Sequence, residues 1–114
     1  MESNCVFCQI IAGAQPAAVV YETPTVLAFR DIHPQAPTHI LIVPRKHIAR
    51  VADVTPEDAG LMGDLLLAAR AVAEQEGVAD AFRLLVTNGA AAGQTVFHLH
   101  VHLLAGRPFR RPPG

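Results

Sequence analysis

A chain of 114 residues, 51% of them hydrophobic, has the length of one ordinary folded domain and is too apolar for a disordered segment. A formal net charge of −1 argues against a nucleic-acid polymer as partner. No apolar run approaches the roughly 18 residues of a membrane span. The opening Met1-Glu-Ser-Asn-Cys5 lacks the basic-then-apolar pattern of a secretory signal, so the expectation is a cytoplasmic protein with no membrane partner.

The only two cysteines stand as Cys5-Val-Phe-Cys8. In a reducing compartment this spacing points to a metal or redox site more than to a structural disulfide, and histidines would have to complete a tetrahedral zinc site. A short helix is expected over residues 7–14, ended by Gly13. Residues 18–22 and 26–30 read as strands of a hairpin turning at Thr23-Pro24-Thr25. A proline-containing loop through Pro34 and Pro37 leads to a third strand over 39–43, ended by Pro44. Basic residues cluster at Arg45-Lys46 and from Arg107 to Arg111, either as solvated runs or as contacts for a small anion.

Thr55-Pro-Glu-Asp58 is a helix start, with a cap, a proline suited to the first turn and a carboxylate for the positive helix end. Met62, Leu65, Leu66, Ala69, Val72 and Ala73 recur at helical spacing, as a core stripe or a dimer interface, and Gly77 is placed to end the helix. Residues 82–87 form a fourth strand and residues 88–93 a flexible turn before a fifth strand. The pattern predicts a single α+β domain over residues 1–114, a five-stranded antiparallel meander with one long and one short helix.

The fifth strand, His98-Leu-His-Val-His-Leu-Leu104, carries the chemistry. Alternate side chains share a face, so His98, His100 and His102 oppose Phe97, Leu99, Val101 and Leu103. The apolar face can pack on a core. Three imidazoles are costly to bury without partners, so their face must meet a cavity, a metal or a ligand. Directly before them, Gly93-Gln-Thr-Val96 offers a backbone able to approach a ligand, N–H groups able to form an anion nest, and the Thr95 hydroxyl.

The run Gly93-Gln-Thr-Val-Phe-His-Leu-His-Val-His-Leu-Leu104 resembles the signature of the histidine triad family. The resemblance extends to Phe29-Arg-Asp-Ile-His-Pro-Gln-Ala-Pro-Thr-His39, to Ile42-Val-Pro-Arg-Lys-His47 and to the terminal Arg111-Pro-Pro-Gly114, which is similar to the tail of its purine nucleotide-binding branch. It implies a homodimer whose two sheets join into one of ten strands, and hydrolysis of the P–N bond of a purine nucleoside phosphoramidate of the adenosine 5′-monophosphoramidate type. By the same resemblance His100 is the nucleophile that forms a nucleotidyl-histidine intermediate. His102 holds a phosphate oxygen or protonates the leaving amine, while Gln94, Thr95 and Gly93 hold the phosphate. Asp31 binds the ribose hydroxyls, Phe7, Ile10, Phe29 and Ile32 wall the base, and Asn88 contacts ribose or phosphate. The loop from Asn88 to Gln94 is one residue shorter than in that branch. No metal is needed for this chemistry, but a subset of the family joins an N-terminal Cys-x-x-Cys to two histidines around a structural zinc. Here those residues are Cys5, Cys8, His47 and His98. His39 reads as a structural strand histidine and His33 as a loop residue. Arg111 stands where the branch has an aromatic residue, which suggests a preference for an anionic leaving group. The competing readings are a dinucleoside polyphosphate hydrolase of the same fold, a nucleotide-binding scaffold dimer, and a hydrolase with catalytic zinc on the triad.

Overall fold

The computed structural model describes residues 4–110. Within them one antiparallel sheet holds β1 (Val19–Glu22), β2 (Val26–Arg30), β3 (Thr38–Pro44), β4 (Phe82–Leu85) and β5 (Val101–Ala105), with helices α1 (Val6–Ile11) and α2 (Ala59–Gln75). The α+β class and the element count agree with the sequence reading, but the strand order does not. The sheet runs β1-β2-β3-β5-β4, so β5 inserts between β3 and β4 instead of extending a meander. Burial explains the order. Val101, Leu103, Leu104 and Ala105 are buried in β5, whereas every residue of β4 is only half-buried, so β5 takes the interior place and β4 the edge.

The sheet separates two apolar layers. On one face Val26, Ala28, Ile40, Ile42, Val101 and Leu103 pack under Leu65, Ala69, Val72 and Ala73 of α2. On the other, Leu27, Phe29, Leu41 and Val43 meet Phe7 and Cys8 of α1. Each fully buried aliphatic side chain contributes about 1.5–3 kcal/mol relative to its exposed state. Leu66 does not belong to the stripe: it is 60% exposed beside Leu67, and Ala68 is buried in its stead. A helix lying on a single sheet buries one stripe, and Leu66 falls outside it.

The expected start of α2 forms, with the Thr55 N–H donating to Asp58 Oδ2 at 3.0 Å, but its first turn, Pro56–Asp58, winds as a 3₁₀ turn. Lys46 Nζ also donates to Asp58, at 2.7 Å, and this hydrogen bond holds the Asp58 carboxyl below its ordinary range. Arg45 donates to Glu22 and to the Thr23 carbonyl. Arg45-Lys46 is therefore a brace that fixes the chain just before His47, and its charges are spent within the protein. At the far end of α2 the Val78 N–H reaches back to the Ala73 carbonyl, with Gly77 at φ +74°.

Three further expectations are corrected. α1 spans fewer residues than 7–14, because the chain turns away after Ile11. The turn after β4 is a 3₁₀ turn, Ala90–Ala92, between Gly89 and Gly93 at positive φ, and not a flexible link. Pairing in β5 begins at Val101 instead of 98. Residues 96–98 before it are bent, and the Leu99 N–H bonds to the Ile48 carbonyl outside the sheet. That detour leaves Phe97 45% exposed, while Leu99, Val101 and Leu103 do pack inward. No helix among the described residues is long and apolar enough to cross a membrane.

Candidate active site and metal centre

The three histidines of the 98–104 segment face the α1 side of the sheet, yet their environments differ. Each hydrogen bond identifies a tautomer. His98 Nε2 lies 2.8 Å from the Pro44 carbonyl, to which it can only donate. Its Nδ1 lone pair therefore points to the cysteines. His100 Nδ1 lies 2.7 Å from the His98 carbonyl and donates there, which leaves the Nε2 lone pair free on a cavity. Burial lowers the His100 imidazole from its ordinary value, against the opposing effect of that hydrogen bond, so the ring is neutral at neutral pH.

His102 is set by a residue that the sequence reading took as structural. The backbone N–H of Gln35 donates to His39 Nδ1 at 3.0 Å. Burial lowers His39, so the neutral ring carries its one proton on Nε2, which lies 2.9 Å from His102 Nδ1 and 3.4 Å from Asp31 Oδ2. His102 accepts at Nδ1 and keeps its proton on Nε2. Burial first, then the His100 and His39 rings, pushes His102 down to about 4. The site thus holds a bare nitrogen on His100 and an N–H on His102, on rings whose centroids are 4.9 Å apart. Asp31, His39 and His102 also stand close enough to hold an ion, but the His39 nitrogens and His102 Nδ1 are already matched donor to acceptor.

A cavity of about 310 Å³ opens beside these rings. His100, His102, Asp31 and Thr95 supply its polar wall, and Phe7, Ile10, Phe29 and Ile32 its apolar wall. The Phe7 ring stands edge-on to His100, with centroids 5.1 Å apart. Ile32 is 85% exposed at the mouth, an apolar side chain with no protein partner to cover it. Asp31 Oδ1 accepts from the His33 N–H, which fixes the carboxylate at the strand end. Leu41 and Val96 also line this cavity and were missed; Leu41 was legible as the residue two beyond His39 on the same strand face.

Asn88, Gly93 and Gln94 do not line that cavity. Gln94 is buried, donating to the Ala49 and Val96 carbonyls and accepting from the Gly89 N–H. The N–H groups of Gly93 and Gln94 close the turn on Ala90 and Gly89. Asn88 Oδ1 accepts from the Ala52 N–H. These residues shape the wall from behind, and Thr95 is the part of the segment that reaches the cavity.

Behind the triad, Cys5 caps α1, its Sγ accepting from the Cys8 N–H. Cys5, Cys8, His47 and His98 bring one ligand atom each to within 4.8 Å of one another. A tetrahedral zinc, with bonds of about 2.3 Å to sulfur and about 2.0 Å to nitrogen, spaces its ligands about 3.3 Å (N to N) and about 3.5 Å (N to S). The His47 and His98 Nδ1 atoms are 3.2 Å apart, Cys8 Sγ is 3.3 Å and 3.5 Å from them, and Cys5 Sγ is 3.4 Å from His98 Nδ1. The donor set and its spacing fit zinc.

A family model described as HIT domain matches residues 12–109. An uncharacterized HIT-like protein of a Synechocystis species is 52% identical over 114 residues, the whole of both chains. A 14 kDa zinc-binding protein of Zea mays is 45% identical, over 99% of this chain and 90% of that one. The crystal structure of a HIT family hydrolase from Legionella pneumophila superposes with a TM-score of 0.94 at 48% identity, covering 97% of this chain and 100% of that one.

Proposed function

The chain belongs to the HIT domain family, and we propose that it hydrolyses the P–N bond of purine nucleoside 5′-phosphoramidates, through a nucleotidyl-histidine formed on His100. The observation that carries this reading is the pair of tautomers, a bare His100 Nε2 next to a His102 Nε2–H, on the wall of a cavity that also holds Asp31. The His100 lone pair attacks the α-phosphorus and the P–N bond breaks. The His102 Nε2–H donates a hydrogen bond to the leaving nitrogen, which takes up a proton from solvent and departs as an amine, while the ring stays neutral with its Nδ1 held by His39. Water then attacks the nucleotidyl-histidine, frees the nucleoside monophosphate and releases a proton to solvent. Thr95 donates to a non-bridging oxygen as charge builds. Asp31, an acceptor-only carboxylate, suits a ribose diol, and the base lies between Phe7, Ile10, Phe29 and Ile32.

Cys5, Cys8, His47 and His98 are proposed as the ligands of a zinc that ties α1 to the strand of the triad and takes no part in bond breaking. The relative named as zinc-binding supports this. A homodimer and a cytoplasmic location complete the proposal; the edge strand β4 is the natural place for a second copy to extend the sheet.

Rapidly quenched enzyme with adenosine 5′-monophosphoramidate is expected to carry an adenylyl adduct on the His100 peptide by mass spectrometry. Turnover with no adduct, or faster turnover of a diadenosine polyphosphate, would replace this reading with another. His39→Phe removes the donor to His102 and is expected to lower kcat by about 10²-fold, in line with other tautomer-setting residues. AMP affinity should stay within a few-fold. His39→Asn, whose carboxamide can still donate, should recover part of the rate, and equal rates in the two variants would deny His39 this role.

A further inference from the structure

His102 also lines a second cavity, of about 350 Å³, to which the reaction above gives no task. His39 and His102 line it, with Arg83, Arg107 and Phe109. His102 is thus a wall residue of both cavities, and the second adjoins the ring that faces the leaving group in the reaction above.

The charges of this cavity are unusual for the molecule. Arg30, Arg45, Arg50 and Arg70 each pair with a carboxylate. Among the described residues Arg83 and Arg107 do not, and no acidic side chain lines the cavity. Both guanidiniums instead stack on one ring, their carbons 4.8 Å and 4.5 Å from the Phe109 centroid. Two like charges on one aromatic ring repel each other, and an anion between them relieves that repulsion while accepting their hydrogen bonds. The backbone is built to bring them together. Gly106 turns the chain at φ +98°, and a Cβ there would lie 2.8 Å from Pro37, so only glycine lets the segment after β5 fold back over the sheet. Arg107 then donates to the Gln35 carbonyl, beside the N–H that orients His39.

We propose that Arg83 and Arg107 form a subsite for an anionic group on the leaving amine, so that the preferred phosphoramidates carry a carboxylate a few bonds from the scissile nitrogen. This rests on the hydrolase reading above and names the substrate class for it. It also gives a use to Arg107, the first residue of the basic cluster, which the nucleotide site leaves unassigned.

The test compares adenosine 5′-phosphoramidates of glycine and glycinamide, and of β-alanine and its amide, pairs that differ in charge at nearly constant shape. The carboxylate member is expected to have a kcat/KM about tenfold higher or more, the scale of one charge-assisted contact. Arg83→Gln and Arg107→Gln should each bring that ratio towards one. Raising the salt from 0.05 to 0.5 M should lower the ratio in the parent protein, about the scale on which charges near a surface are screened, and needs no variant to fold. Binding of the same pairs to His100→Ala, read by calorimetry, should show the same preference. A parent that turns over both members equally overturns the subsite and leaves the hydrolase reading standing. A parent that turns over neither sinks the hydrolase reading, and the calorimetric preference then decides the subsite by itself: a difference that Arg107→Gln removes supports it, and equal affinities overturn it.

Discussion

Replacing His100 with alanine is expected to abolish turnover, by about 10⁴-fold or more, while AMP affinity stays within a few-fold. The size of the effect follows from the separation of roles around the ring. His100 contributes one nitrogen to bonding chemistry and the other to the His98 carbonyl, 2.7 Å away. The base wall and Asp31 stand on other elements, so binding loses only the contact of one ring with the phosphate. The Phe7 edge and the neighbouring His98 and His102 rings hold their places without it, because each has partners of its own. His100→Asn, polar but without the bare nitrogen of imidazole, should be as inactive as alanine. A kcat loss of only tenfold in either variant, measured under saturating substrate, would mean that phosphorus is attacked by another group.

Removal of metal by a strong chelator is expected to lower Tm by on the order of 10–20 °C, since an ion held at about a thousand times its Kd stabilises the fold by about 4 kcal/mol. The ion would bridge α1 to residues at positions 47 and 98, and without it the apolar layer of Phe7, Cys8, Ile10 and Ile11 holds that helix to the sheet. Cys8→Ser should reproduce the shift, and chelator should then have little further effect on the variant. At a temperature where the stripped protein stays folded, turnover is expected to persist at a reduced level, because the bond-breaking nitrogens of His100 and His102 are outside the ligand set. Complete loss of activity in folded, metal-free protein would favour a catalytic ion. An unchanged Tm after verified metal removal would deny the structural role.

The sequence carried much of this site for a physical reason: strict alternation from position 98 to 103 assigns faces before any partner is known. Leu99, Val101 and Leu103 went inward and the imidazoles to the other side. The exception, Phe97, lies just before the segment, where no ladder enforces the alternation. The Cys-x-x-Cys spacing was legible because α1 itself sets it, with Cys5 as the cap of the helix that contains Cys8. His39 was not legible as a partner of His102. Its register partner is Leu104, and the contact with His102 is diagonal, which only the insertion of β5 next to β3 creates. The hydrogen bonds of Gln94 were not legible for a similar reason. Its carboxamide is satisfied by the Ala49 carbonyl, from a distant segment. The strand order itself depends on which strand buries most, a comparison that hairpin signals do not make.

His98 turns its ring nitrogen to the cluster of cysteines and accepts at its carbonyl from the nucleophile's Nδ1–H. The two services use different parts of one residue, the side chain and the main chain. Position 98 therefore answers to two demands at once, and the pair of cysteines to only one. A lineage or an engineer can discard Cys5 and Cys8 and refill the space with apolar side chains, provided that the imidazole at 98 keeps its hold on the Pro44 carbonyl. A metal held there would be the separable half of the arrangement, and the histidine that serves the reaction is the half that stays.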